Sequence, residues 1–252
     1  LLATPEEVRL YETLTLDTAP TLSEEVIDGW RLRASGTDTR RSNSATFLDT
    51  SVANENHDAT IDAIERWFAA HDQPAVFRLN RELVPQSFEK ALTARGYGHA
   101  IDCLFMTKQV DAPAVAVLPE GSTFEVVTLD VGMTLLHELK SMDAAKGALE
   151  IQRQRQWLGR QRFYFLKIDG VVAAMGLGRI EAGYLGIFSM HTVRAFRGRG
   201  LAANMLNELC RWGRTEGVQT AFLQVELDNK VAVSVYEKAG FVPAYSYWHR
   251  LK

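Results

Sequence analysis

The sequence predicts an α/β (α+β) fold, with helices flanking a mixed, mainly antiparallel sheet, built in two halves. Three observations lead there. Short runs of period-two alternation, such as Gly29–Arg33, read as half-buried strands, whereas 58–71 and the run opening at Leu201 place apolar residues at helical spacing. The two kinds of segment interleave with frequent hairpins, an order that suits a mainly antiparallel sheet. From Asp111 to Ser122 the chain carries Pro113, Pro119 and Gly121, turn and linker chemistry that marks a boundary, so the halves are read as 1–112 and 113–252.

Pro5 suits a first helical turn and Glu6-Glu7 its positive end, so 5–17 reads as helix. The strand at Gly29–Arg33 meets the turn signal Gly36-Thr37-Asp38, and Asn43–Leu48 returns antiparallel to it. The helix at 58–71 turns Ile61, Ile64, Trp67 and Phe68 to one side. Ala75–Leu79 reads as strand, 85–95 as helix and Cys103–Val110 as strand. In the second half a strand near 124–128 precedes helices near 131–142 and 148–158. Strands follow near 162–168, 171–180 and 183–193. The next helix aligns Leu201, Met205, Leu206, Leu209 and Trp212. Ala221–Glu226 is a strand, a helix follows Asn229, and strands from Phe241 to Leu251 close the chain.

Composition narrows the function. The 252 residues are 46% hydrophobic, enough for a sizeable core, and carry 28 basic against 31 acidic side chains. No basic stripe dominates the formal charge of -3, which argues against nucleic acid as the main partner. Cys103 and Cys210 sit far apart in apolar segments and read as buried free thiols of a reducing compartment. No run approaches the ~20 apolar residues that span a bilayer. Leu1–Glu7 lacks the basic and apolar regions of a secretory signal. A cytoplasmic protein with no membrane partner, monomeric or homodimeric, is expected. The six histidines and two cysteines show no ligand spacing, so no metal site is expected.

The most informative stretch is Arg197-Gly198-Arg199-Gly200-Leu201-Ala202, where an extended segment ending near Val193 turns into an amphipathic helix. Glycines allow a tight turn and close approach of the backbone to a ligand. The helix start offers unpaired N–H donors and a positive dipole end, to which Arg197 and Arg199 add charge. That combination suits a phosphate or pyrophosphate; a plain tight turn with solvated arginines is the bland alternative. Downstream lies Asn229-Lys230-Val231-Ala232-Val233-Ser234-Val235-Tyr236-Glu237-Lys238-Ala239-Gly240-Phe241.

Together these stretches resemble the two signatures of the GNAT superfamily of acetyl-CoA-dependent N-acetyltransferases. The first is similar to its Gln/Arg-x-x-Gly-x-Gly/Ala pyrophosphate loop, with Arg197, Gly200 and Ala202 at the defined positions. The second is similar to its Asn-x-x-Ala-x-x-x-Tyr-Glu-x-x-Gly-Phe helix. The resemblance covers the second half of the chain and implies the GNAT acyl-CoA N-acyltransferase fold. An echo links the halves: Phe88-Glu89-Lys90-Ala91 closing at Gly96-Tyr97 parallels Tyr236-Glu237-Lys238-Ala239 closing at Gly240-Phe241. The first half is therefore read as a degenerate GNAT-like copy in a tandem arrangement. It lacks the Gly-x-Gly loop and is expected to hold no cofactor.

The resemblance implies acetyl-CoA as cofactor, with Arg197, Gly198, Arg199, Gly200, Leu201, Ala202 and Ala203 at its pyrophosphate. The pantetheine arm would run along Met190, His191 and Thr192, with backbone pairing at Met190 and Thr192. Arg194 stands where relatives commonly have proline. Asn229 is either a helix N-cap or a partner of the pantetheine arm, two roles that are compatible. Tyr236 would serve the departing sulfur. Full proton transfer from a phenol to a thiolate is uphill by roughly 2 kcal/mol, so a hydrogen bond to developing charge already helps. Glu226, at the end of its strand, is the expected proton acceptor, with His191 or a water chain as alternatives. No cysteine is placed as nucleophile, so direct transfer in a ternary complex is expected. The acceptor is expected to be a primary amine of a small molecule. Protein lysine or N-terminal acetylation, or a non-catalytic acyl-CoA sensor, are the alternatives. Trp157, Phe188, Tyr245, Tyr247 and Trp248 suit either an apolar or cation-binding wall or plain core packing. Arg40-Arg41-Ser42-Asn43-Ser44 could face the cleft from the first half, but a solvated hairpin is the expected reading.

Overall fold

The structure, a computed structural model, describes residues 3–37, 39–52, 56–110 and 117–252. The part of the predicted linker at 111–116, and Asp38 of the turn signal, lie outside the described residues. The elements run α1 (Pro5–Asp17), β1 (Ser23–Ile27), β2 (Trp30–Ala34), β3 (Ser44–Phe47), α2 (His57–Ala69), β4 (Phe77–Asn80), α3 (Gln86–Ala94) and β5 (Gly98–Gln109). They continue with β6 (Ser122–Val127), α4 (Leu129–Leu139), α5 (Ala144–Gln154), β7 (Arg160–Ile168), β8 (Val171–Glu181) and β9 (Tyr184–Thr192). Last come α6 (Leu201–Thr215), β10 (Thr220–Glu226), α7 (Lys230–Lys238) and β11 (Val242–Leu251).

The chain forms two compact units, and they depart from the linear division at 112/113. One comprises Leu1–Phe105, Gln224–Asp228 and Pro243–Lys252; the other comprises Met106–Leu223 and Asn229–Val242. The physical reason is strand pairing. β11 bonds antiparallel to β4, from Tyr247↔Asn80 to Arg250↔Phe77, so the last strand completes the sheet of the first unit.

In the first unit the strand order is β1-β2-β3-β4-β11-β5. α1 opens with a capping box: Thr4 accepts from the Glu7 N–H while Glu7 accepts from the Thr4 N–H. β1 and β2 form a hairpin through Asp28 and Gly29, both at positive φ, which is the two-residue turn that matches strand twist. β3 is antiparallel to β2 and parallel to β4. Alternation then divides the sheet into two unlike faces. Trp30, Phe47 and Phe77 join Phe88 and Tyr97 in an aromatic cluster against α2 and α3. The other face buries Arg33, Ser44, Thr46, Arg78 and Asn80. There Arg78 and Glu12 of α1, both fully buried, form an ion pair at 2.7 Å.

In the second unit the order is β10-β9-β8-β7-β6, antiparallel except for the parallel pair β9/β10. One face packs α4 on Phe163, Phe165, Met175 and Leu177. The other packs α6, whose Leu201, Met205, Leu206, Leu209 and Trp212 are buried as the helical spacing predicts. Gly176 and Gly178 of β8 make that contact close: a Cβ on Gly178 would lie 2.8 Å from the Trp212 ring. Helix α5 starts at Ala144, four residues before the expected 148, because Asp143 caps it by accepting from the Ala145 and Lys146 N–H groups.

Along the chain one order occurs twice, in β1–β5 and again in β7–β11: a three-stranded antiparallel meander, a helix, a strand parallel to the third, a helix and a strand. Among the described residues no helix is long and apolar enough to cross a membrane.

Candidate active site

The second unit brings the loop, the strand before it and α7 together in one compact body. β9 does not enter the loop straight. Its register with β8 pairs Leu177 with Phe188 and Met175 with His191, so two residues, Ser189 and Met190, oppose Gly176 alone. Ser189 takes φ 53, and the result is a β-bulge that re-aims Met190 and His191. The parallel register with β10 covers Tyr184–Gly186 against Thr220–Phe222, while β9 continues to Thr192. From Phe188 onward β9 is only half-buried. Val193 N–H donates to the Ala173 carbonyl at 2.9 Å and ends the strand. Arg194 opens a 3-10 turn, Arg194–Phe196.

The loop itself is exposed from Arg197 to Gly200. Gly198 and Gly200 take φ 76 and 72, a region that disfavours any side chain. A Cβ at either would meet open space, so the glycines answer to backbone conformation and not to a protein neighbour. Arg197 Nε donates to the Thr192 carbonyl at 3.2 Å and ties the loop to the strand. Gly200 is the N-cap of α6, and Asn204 is the first residue to donate back to it. The N–H groups of Leu201, Ala202 and Ala203 thus have no acceptor within the helix. α1, α2, α4, α5 and α7 differ: Thr4, Asn56, Thr128, Asp143 and Asn229 cap them with side chains. An uncapped 15-residue helix with two arginines at its start is an anion cradle.

α7 has no buried residue. Asn229 accepts from the Ala232 N–H at 3.2 Å, so the N-cap role is observed, and its amide NH2 is left to donate outward. Tyr236 is half-buried, with its ring edge-on to Phe241 at 6.3 Å. His191 is half-buried, and burial, then Lys140 and Arg197, hold its imidazole below the ordinary value. Glu226 is exposed, is grouped with the first unit, and has Arg40 at 4.0 Å. Both cysteines are buried free thiols. Burial pushes Cys210 up to about 11 and raises Cys103 as well, so neither is a ready thiolate.

Residues 5–250 match the family described as "Probable histone acetyltransferase Rv0428c C-terminal". The chain belongs to this family of GNAT acetyltransferases. It is similar to the uncharacterized N-acetyltransferase YobR of Bacillus subtilis (strain 168), at 24% identity over 98% of this chain and 99% of that one. A GCN5-related N-acetyltransferase from Kribbella flavida shares the fold with TM-score 0.72 at 16% identity, covering 100% of this chain and 96% of that one. A tandem GNAT protein from the clavulanic acid biosynthesis pathway aligns with TM-score 0.68 at 17% identity, over 88% of this chain and 78% of its own.

Several features of the structure were not announced by the sequence. The bulge at Ser189 carries no glycine or proline signal. The wall aromatics Trp157, Tyr245, Tyr247 and Trp248 are buried, so packing dominates their role. Arg40–Ser42 is a 3-10 turn, with Ser42 and Asn43 buried, and not the solvated hairpin expected: the Asn43 side chain accepts from the Ser35 N–H and donates to the Thr37 carbonyl.

Proposed function

We propose that this acetyltransferase moves an acetyl group from acetyl-CoA to a primary amine of a small molecule, by direct attack in a ternary complex. The observation that carries the reading is the uncapped start of α6 behind a bulged, half-buried strand. Acetyl-CoA supplies the activated acetyl group. The Leu201, Ala202 and Ala203 N–H groups, with Arg197, Arg199 and the two glycines, suit its pyrophosphate. The Met190–Thr192 backbone and the outward amide of Asn229 suit an arm bearing amides. Tyr236 holds its proton for the departing sulfur. His191 stays neutral at physiological pH and takes the proton of the acceptor amine; Glu226 is kept as the second candidate.

The first unit, on this reading, is a degenerate copy of the second. Its repeated element order supports that, and Asn56 caps α2 where the second unit leaves α6 open. The family description names a histone acetyltransferase, which favours a second reading with a protein lysine or N-terminus as acceptor. A thiol-release assay with acetyl-CoA, run against free amines and against lysine-bearing peptides, separates the two. Turnover with small amines supports the first reading, turnover confined to peptides the second. Coenzyme A binding without release in any arm leaves a sensor. Absence of a thermal shift with coenzyme A rejects all three; at 100 times Kd about 2.7 kcal/mol of stabilisation is expected.

A further inference from the structure

The first unit holds a cavity of ≈ 230 Å³ lined by Arg40, Arg41, Cys103, Glu226, Tyr247 and His249, among others. That is below the roughly 300–1,000 Å³ of sites for drug-sized ligands and suits a small metabolite. Its floor is polar at a cost. His249 is 3% exposed, and its ring nitrogens lack a well-formed hydrogen bond among the described residues. Burial, then the charges of Arg78, Arg40 and Arg41, push its pKa to about 3 against an opposing pull from the Ile101 backbone. The ring is neutral, with one donor and one acceptor to offer.

The surroundings are built rather than incidental. Arg78, paired with buried Glu12, lies over the Tyr247 ring at 3.4 Å, and the Tyr247 hydroxyl donates to Gln224 Oε1 at 2.7 Å. Apolar residues of similar volume would fill such a core without the desolvation cost. At the mouth, Glu226 is exposed and Arg40 half-buried, and their 4.0 Å separation is beyond hydrogen-bond reach.

We propose that this cavity binds a small zwitterion of amino-acid size, with its carboxylate between Arg40 and Arg41, its ammonium on Glu226 and its side chain reaching the His249 imidazole. Guanidinium forks match a carboxylate bidentately. Glu226 repels a second acidic group, so dianions are disfavoured. Tyr247 and Cys103 present an apolar, polarizable wall to the side chain.

The test is calorimetric titration of the full chain with proteinogenic amino acids, each beside its C-terminal amide and its N-acetyl derivative, and with inorganic phosphate. At least one amino acid should bind, and both blocked forms should bind at least about tenfold more weakly. Arg40→Ala, at a half-buried position, should weaken binding by a similar factor with the melting temperature unchanged. His249→Gln should alter which amino acid is preferred. No amino acid binding at millimolar concentration, binding that survives both blocked forms and Arg40→Ala, or binding of phosphate alone would each overturn the proposal.

Discussion

Gly176 of β8 faces Met190 of β9 across the bulge, so closely that a methyl group there would lie 2.8 Å from Met190 Sδ and 3.0 Å from Met205 Cγ. One missing side chain therefore lets the bulged strand and α6 settle on the same spot. Close packing makes that site intolerant of added volume. The lone Gly176-Leu177-Gly178 pattern is a packing device of β8.

Gly176→Val is expected to displace Met190 and the start of α6 together. Stability in a urea titration should fall by about 1–3 kcal/mol, the usual cost of overpacking. The thermal shift produced by coenzyme A should fall with it. A stable variant with full coenzyme A response would show that the bulge does not support the anion cradle.

Tyr236→Phe removes one hydroxyl from a half-buried ring on a helix with no buried residue, so the fold should be unaffected. As the acid for the departing sulfur, its loss should lower kcat by about 100-fold or more, with coenzyme A affinity retained in calorimetry. An unchanged kcat would remove Tyr236 from the chemistry.

The pH profile separates His191 from Glu226. Burial first, then Lys140 and Arg197, hold His191 below its ordinary value, so the neutral, proton-accepting form persists into mild acid. The rate kcat/KM should stay level through neutrality and fall only as pH drops below about 6.5. Lys140→Ala should move that limb upward, and His191→Gln should abolish it. Loss of the limb in Glu226→Gln, with His191→Gln near normal, would transfer the role to Glu226.

Glu12→Ala leaves the Arg78 guanidinium charged and unpaired in the interior of the first unit. Breaking a buried pair from one side costs about 3–5 kcal/mol. A large fall in the unfolding midpoint is expected at neutral pH. Loss of under about 1 kcal/mol would mean that water reaches Arg78.

The element order was legible because it depends on local pattern. Pro5 with Glu6-Glu7 marks α1, the apolar spacing from Leu201 to Trp212 marks α6, and Asn229 marks the start of α7. β1 escaped because Ser23-Glu24-Glu25 is charged and largely exposed, although Asp28-Gly29 is a hairpin signal in its own right. The closing segment is one continuous strand, because its one proline, Pro243, sits beside the first residue and nothing after it breaks the run.

By itself the sequence determined what neighbouring residues enforce: helix faces, caps, and a glycine turn whose positive φ values only glycine adopts at little cost. Tertiary structure alone decided that β11 closes the first unit, that Ser189 starts a bulge, and that His249 ends buried beside arginines. Each of those outcomes depends on which distant segments pair and what they exclude from water, and no period or propensity within a segment encodes that.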